Sequence, residues 1–399
     1  MKKKYLFNIL IIVVLLTLSA CSAAGTGNAP VDNAKKPIKV GLCLPLTGVL
    51  ASLGESYELG IALAMDQLKN EIAGHPIEIY KADNKANATD AVSAVRKLAE
   101  VDQVDVIIGC GSSSATLPAI PIIKEVQVPT IEASSTNAFV YNQIGVGGNE
   151  WLFKINPDDL IMGQGFAEYI ASKEKSIVIV GNDNQMARGA GEVYTNQFKK
   201  LGLPVLSADY FDGNTADYRP VLAKIKDANP DALLLFMDDQ SCATFLRQRT
   251  EVGLTQPLYA RGSCVSDLVI ELLKDDLKST EGVTEFSFFS ADQDKTFSEA
   301  FVKFHNKPVT LERMSGYYAM YYTVKPAIEA LAAAGKEINR QNIRDAIAAL
   351  NVETPAGTIK FDDHNVAYIN GSLEISKDGK ATVLESIPLK PVDHSEYVK

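Results

Sequence analysis

The sequence predicts an α/β protein of two Rossmann-like lobes, each a parallel sheet flanked by helices. From Ile38 onward, short β-branched runs alternate with longer segments of helical periodicity. The alternation runs its course once before "FKINPDDLIMGQGFAEYIAS" and again after it. With 399 residues and 46% apolar composition, the chain is long enough to fill two such cores. Parallel strands joined by right-handed crossovers place helices on both sheet faces, and that dictates the layered form.

The chain opens on "MKKKYLFNILIIVVLLTLSA", three lysines before an apolar stretch shorter than the roughly 20 residues a membrane span needs. Residues 1–20 therefore read as an export signal. Leu18, Ser19, Ala20 and Cys21 resemble a bacterial lipobox, which would make Cys21 a lipidated N-terminus after cleavage. Residues 21–37, rich in Ala, Asn, Gly and Pro, cannot bury enough surface to fold and read as a flexible tether. Placement is then extracytoplasmic, at a bacterial membrane.

In the first lobe the expected strands are "IKVGLCLPL", "IEIYKAD", "VDVIIGC" and "VPTIEAS". In the second they are "SIVIVGND", "PVLSADYF", "DALLLFMDD" and "QPLYARGS". Helical segments separate them. After "GVTEFSFF", a further strand, come helices around "SEAFVKFHN", "GYYAMYYTVKPAIEALAAAG" and "NRQNIRDAIAAL". The end carries the alternation and the Asn-Gly and Asp-Gly pairs of antiparallel strands. Two lobes with extra helices and a β tail imply a cleft.

A formal charge of -10 argues against a nucleic-acid or anionic-membrane surface, which would need clustered Lys and Arg. Apart from Cys21 the cysteines are Cys43, Cys110, Cys242 and Cys264; export permits disulfides, but spacing leaves their pairing open. The four histidines are scattered and the cysteines lack zinc-site spacing, so neither metal nor cofactor is expected.

"GCGSSSATLPAIP" lies at a strand-to-helix junction. In open parallel sheets such junctions line the ligand crevice, and a helix N-terminus there offers unpaired N–H groups. The next strand ends in "EASST", so two hydroxyl-rich loops converge, a set suited to a carboxylate. Helix capping is the plainer role for these residues, and both roles are compatible. The stretch lacks the Gly-x-Ser-x-Gly of a nucleophile elbow and the Gly-Lys-Ser/Thr of a phosphate loop. The serines are expected to bind rather than react, so the chain is not read as an enzyme.

The opening from Val40 to Lys69, then "VIIGCGSSSATLPAIPIIKEVQVPTIEASST", "SIVIVGNDN", "DYRPVLAKIKDANPDALLLF" and "GTIKFDDHN", resembles the type I periplasmic binding proteins. The nearest branch is the leucine/isoleucine/valine binders that serve ABC importers. The resemblance implies three crossovers between lobes and hinge closure over a solute passed to a permease and ATPase complex. It divides the chain into lobe 1, 38–156 plus 285–352, and lobe 2, 157–284 plus 353–399, and implies a monomer.

Carried over residue by residue, the resemblance places Ser113, with Ser112 as the alternative, on a ligand carboxylate. It places Ser134 and Thr136 beside an ammonium or the ligand body, and Tyr318, rather than Tyr317, near the cleft. The chain departs from the pattern at Leu53, where relatives carry an aromatic lid, and at Met186 and Ala187, followed by Arg188, where relatives have Tyr-Gly. Ser263 stands where amino-acid binders often have an acid, which opens the ligand class. Asp238 or Asp239 could replace that acid, and Arg261 could take a second anionic group. The leading expectation is a solute receptor for a small carboxylate, such as a branched-chain amino acid or a related aliphatic or aromatic acid. A sensor acting through a membrane partner, or an exported hydrolase, is the alternative.

Overall fold

The computed structural model describes residues 35–394 apart from 262, 388 and 390. The leader 1–20, Cys21 and the tether as far as residue 34 lie outside the described residues.

The first lobe contains strands β1 (Ile38–Leu44), β2 (Glu71–Ile72), β3 (His75–Asp83), β4 (Val106–Gly109), β5 (Thr130–Glu132) and β6 (Leu152–Lys154). Their order across the sheet is β2-β3-β1-β4-β5-β6. All pairings are parallel except the short β2–β3 hairpin. Helices α1 (Ala51–Gln67), α2 (Ala88–Arg96) and α3 (Ser113–Val126) connect them. The sheet is apolar on both faces: Val40, Leu42, Val106 and Ile108 belong to one core, Cys43, Ile107 and Leu152 to the other. Double-sided burial is what a parallel sheet between helix layers requires.

The second lobe repeats the plan with α4 (Asp159–Ala171), β7 (Ile177–Asn182), α5 (Gln185–Leu201), β8 (Val205–Phe211), α6 (Arg219–Ala228), β9 (Ala232–Phe236), α7 (Asp239–Glu251), β10 (Leu258–Arg261), α8 (Asp267–Leu272) and β11 (Thr284–Phe288). The chain returns to the first lobe with α9 (Lys295–His305), α10 (Leu311–Tyr317), α11 (Lys325–Ala333) and α12 (Arg340–Ala348). The hairpin β12 (Asn351–Thr354) and β13 (Gly357–Lys360) precedes β14 (Gly371–Lys377) and β15 (Lys380–Ile387), which complete the second sheet in the order β15-β14-β11-β10-β9-β7-β8.

Two expectations change. Residues 285–288 belong to the second sheet, because β11 pairs parallel with β10 and antiparallel with β14. The expected switch at 284/285 therefore comes after Phe288, and re-entry comes at Gly371, since β12 and β13 pair only with each other. The Asn370-Gly371 pair is not a hairpin turn. Gly371 opens β14 where a Cβ would stand 2.4 Å from the Phe286 ring. Asp378-Gly379 does form the β14–β15 turn, with both residues at positive φ.

Each sheet has a reversal of winding, between β1 and β4 in the first and between β7 and β9 in the second. Ligands of open α/β sheets bind outside the strand ends at such points. Helix α10 is clamped on α1 through glycines: a Cβ on Gly60 would fall 1.9 Å from the Arg313 carbonyl oxygen, and one on Gly316 2.3 Å from that of Tyr57. Backbone-to-backbone packing thus fixes the start of α10, which faces the cleft. Gly60→Ala is expected to lower the unfolding free energy by roughly 2 kcal/mol, as overpacking does, measured by denaturant titration.

Candidate functional site

The loop after β4 turns through Gly109 and Gly111, both at positive φ, and delivers Ser112 as the cap residue of α3. A serine there ordinarily bonds its own helix. Here it makes no side-chain cap bond, and its buried Oγ has no hydrogen-bond partner. Ser113 is otherwise engaged: its Oγ accepts from Ser135 Oγ at 3.2 Å and from the Asn137 amide at 3.3 Å. Of the two serines weighed for a carboxylate, Ser112 offers the free hydroxyl and Ser113 joins the two loops.

Glu132, at the end of β5 and fully buried, holds both loops in place. Its Oε2 accepts from the Gly111 amide (3.0 Å) and Thr116 Oγ1 (2.7 Å). Its Oε1 accepts from the amides of Ser134 (2.8 Å) and Ser135 (2.9 Å). Lys154 lies opposite Glu132 in the β5–β6 register and donates its Nζ to the Ser135 carbonyl. Burial depresses the Lys154 pKa, while Asp158 and Glu132 oppose that shift. Sequence reasoning missed both residues; the only trace was a charged residue inside an apolar strand run.

A cavity of about 100 Å³ lies between the lobes. Leu53, Ser112, Ser113, Ser134 and Thr136 line it from the first lobe, and Met186, Asp239, Arg261 and Ser263 from the second. These nine come from loops far apart in sequence. Asp238, the alternative to Asp239, lines the cavity and also caps α7 through the Ser241 amide at 2.9 Å. Lining residues that the sequence reading did not single out include Phe288 and Glu312. Phe288 was hidden because its strand was given to the other lobe; Glu312 lies between the helical segments expected from sequence, in the first turn of α10.

Tyr318 does not line this cavity. It is fully buried, donates its hydroxyl to Asp294 Oδ2 at 2.9 Å and packs on Phe289 and Tyr322, so the expectation of a cleft position is corrected in favour of helix packing. Tyr317 is likewise tied to Gln67. Arg188 turns outward, paired with Asp183 and lying over the Tyr210 ring.

Arg261 borders the cavity but spends its charge inside the protein. Its Nη2 lies 2.6 Å from Asp159 Oδ1 and donates to Thr136 Oγ1 at 2.7 Å. Burial raises the Asp159 pKa and the Arg261 charge opposes the rise. The Thr136 bond crosses from lobe to lobe, as does that from Asn137 Nδ2 to the Gln185 carbonyl at 2.7 Å. Cys242 and Cys264 form a disulfide that ties α7 to the loop after β10, settling one pair that spacing left open. Cys43 and Cys110 are free thiols, buried 3.6 Å apart beneath the serine loop. Among the described residues no acid, His or Cys cluster has the arrangement to hold a metal ion, and no helix is long and apolar enough to cross a membrane.

Acids gather on the second lobe's side. Burial, aided by the Glu312 charge, pushes the Asp239 carboxyl up to about 7. Burial and the neighbouring Glu374 push Glu285 up to about 8.

Glu132→Gln is expected to cost roughly 3 kcal/mol of stability, because an amide cannot accept all four donors and one of the charges that balance Lys154 is lost; equilibrium unfolding measures it. Asp239 and Glu285 both ionise near pH 4 in the unfolded chain, so their folded-state pKa values are raised and their favourable contribution, complete below about pH 4, is lost as pH rises through about 7 to 8. The ligand-free protein should therefore unfold more easily at about pH 8.5 than at about pH 5.5, with Glu285→Gln shrinking the difference.

Residues 37–370 match the periplasmic binding protein family. A Leu/Ile/Val-binding protein homolog 7 of Brucella abortus is 24% identical over 371 residues, covering 88% of this chain and 90% of the relative. The fold matches that of the branched-chain amino acid transporter substrate binding protein LivJ of Streptococcus pneumoniae, solved with isoleucine (TM-score 0.77, 21% identity, 89% of this chain and 100% of that one). It also matches an ABC transporter solute binding protein of R. palustris, solved with benzoate (TM-score 0.80, 20% identity, 90% and 98%). With a match across both lobes and the same two-lobed α/β architecture, the chain belongs to the periplasmic binding protein family.

Proposed function

We propose that the chain is the extracytoplasmic solute-binding protein of an ABC importer, lipid-anchored through Cys21, which captures a small carboxylate by hinge closure and delivers it to a permease and ATPase complex. The observation that carries this reading is the Ser112 hydroxyl, buried without a partner at the N-terminus of α3 and on the inter-lobe cavity. An anionic head group there would meet that hydroxyl and the first-turn amides, which favour negative charge without a full positive charge nearby. Isoleucine and benzoate, the solutes held by the two structural neighbours, share only a carboxylate and an apolar body. Leu50, Leu53, Met186, Met237 and Leu311 supply apolar wall for such a body.

Closure is supported by where the contacts lie. Three segments cross between the lobes, 155–158, 289–294 and 361–370, and further contacts between them include Thr136–Arg261 and Asn137–Gln185. A solute touching both lobes favours the closed form by its differential affinity.

L-Isoleucine, L-lysine, pentanoate and benzoate form the first panel. A binder present at 100 times its dissociation constant should add about 2.7 kcal/mol to the unfolding free energy. Ser112→Ala should weaken that binder about tenfold or more, the cost of one hydrogen bond to a charged group. Stabilisation by none of the four would reject the carboxylate assignment.

A further inference from the structure

A second chamber of about 60 Å³ adjoins the main cavity and shares Ser263, Leu311 and Glu312 with it as a common wall. Its other faces include Glu285, Ser287 and Ser290. Two features of its lining are independent. First, carboxylates converge on it from opposite lobes: Glu285 stands on β11 and Glu374 on β14 in the second lobe, and Glu312 lies in the first turn of α10 against the first lobe, while Asp239, at the start of α7, lines the main cavity beside it. Secondly, Ser290 is only 7% exposed and its Oγ has no hydrogen-bond partner. An orphaned buried hydroxyl carries a desolvation cost that a polar ligand group would remove.

The cations nearest this region are committed elsewhere in part. Arg261 is paired with Asp159, and the Arg313 guanidinium, which offsets some of the Glu312 charge, also donates to the Pro308 carbonyl and lies over the Phe301 ring. Asp239 and Glu312, from opposite lobes, line the main cavity together, and the Glu312 charge disfavours ionisation of Asp239. A cation placed between them converts that repulsion into attraction on both sides and so couples its own binding to closure. A metal ion does not suit the site, since no cluster among the described residues has ligand geometry for one. An organic cation does, because hydroxyls and carboxylates are its ordinary acceptors.

We propose that the solute carries, beyond its anionic head, a protonated amine that reaches past Asp239 and Glu312 into this second chamber beside Glu285, with Ser290 Oγ accepting one of its hydrogens. The class is an elongated amino acid with a distal ammonium or guanidinium group. This rests on the reading that the serine loops hold the head, and it goes further in assigning the other end.

Matched probes differing only at that end test it on the full chain by calorimetric titration: L-lysine against L-norleucine, and 5-aminopentanoate against pentanoate. The amine-bearing member of each pair should bind about tenfold tighter or better, the worth of one charge-assisted hydrogen bond. Glu285→Gln and Ser290→Ala should each reduce that preference while leaving L-norleucine affinity within about threefold. L-Norleucine binding also certifies that the variants fold; should one variant not fold, the wild-type ranking and the other variant decide. Equal or tighter binding of L-norleucine and pentanoate would overturn the second-chamber assignment and leave the carboxylate receptor standing. Binding of none of the four probes would overturn both.

Discussion

Glu132 is the residue on which the ligand side of this protein depends. One buried carboxylate collects four donors from two loops that leave adjacent strands, and Lys154 sits across the strand pair to balance it. A buried charge is tolerable only when it is paired and hydrogen-bonded. Those bonds are therefore obligatory, and the loops they hold have no cheap alternative arrangement. Ser112 is freed as a consequence: the loop reaches α3 already fixed by Glu132, so the helix can start without its serine folding back as a cap.

The opposing half is held by a different device. Arg261 is braced by Asp159 from within its own lobe and then reaches over to Thr136, so a charged side chain at the cavity edge acts as a latch between lobes. The Cys242–Cys264 disulfide ties the loop after β10 to α7, whose first turn carries Asp239. Both arrangements fix loop tips relative to rigid elements, which is how a site made of many short contacts keeps its geometry. The third crossover is likewise packed. The segment near the C-terminus comes back to it, with His394 stacked on Tyr141, which also stacks on His364, and bonded to Asp158 in the first crossover.

The two ends of the cavity differ in electrostatic character. Uncharged hydroxyls and helix amides form the first-lobe end, and carboxylates raised by burial form the end nearest β10 and β11. Ser263, where an acid would be expected from the family resemblance, lies on the wall between the two chambers. Acids stand instead at Glu285, in the second chamber, and at Glu312, on the other lobe. Such a displacement alters which part of a solute meets negative charge while keeping the fold unchanged.

Local periodicity was enough to establish the doubled α/β plan, because the strand and helix repeats and the turn residues are properties of neighbouring positions. It also located the hydroxyl loops, since a strand-to-helix junction in a parallel sheet has only one end at which to present ligand groups. Ten residues named from sequence, Asp238 included, line the cavity, and family resemblance supplied the choice among them. Tertiary structure alone decided the sheet that received Thr284–Phe288, the use of Arg261 as a latch, the burial of Tyr318 away from the cleft and the meeting of Asp239 with Glu312. Each of these is a pairing between residues dozens to hundreds of positions apart. Such pairings are set by which surfaces the packed lobes bring together, and a one-dimensional pattern carries no term for them.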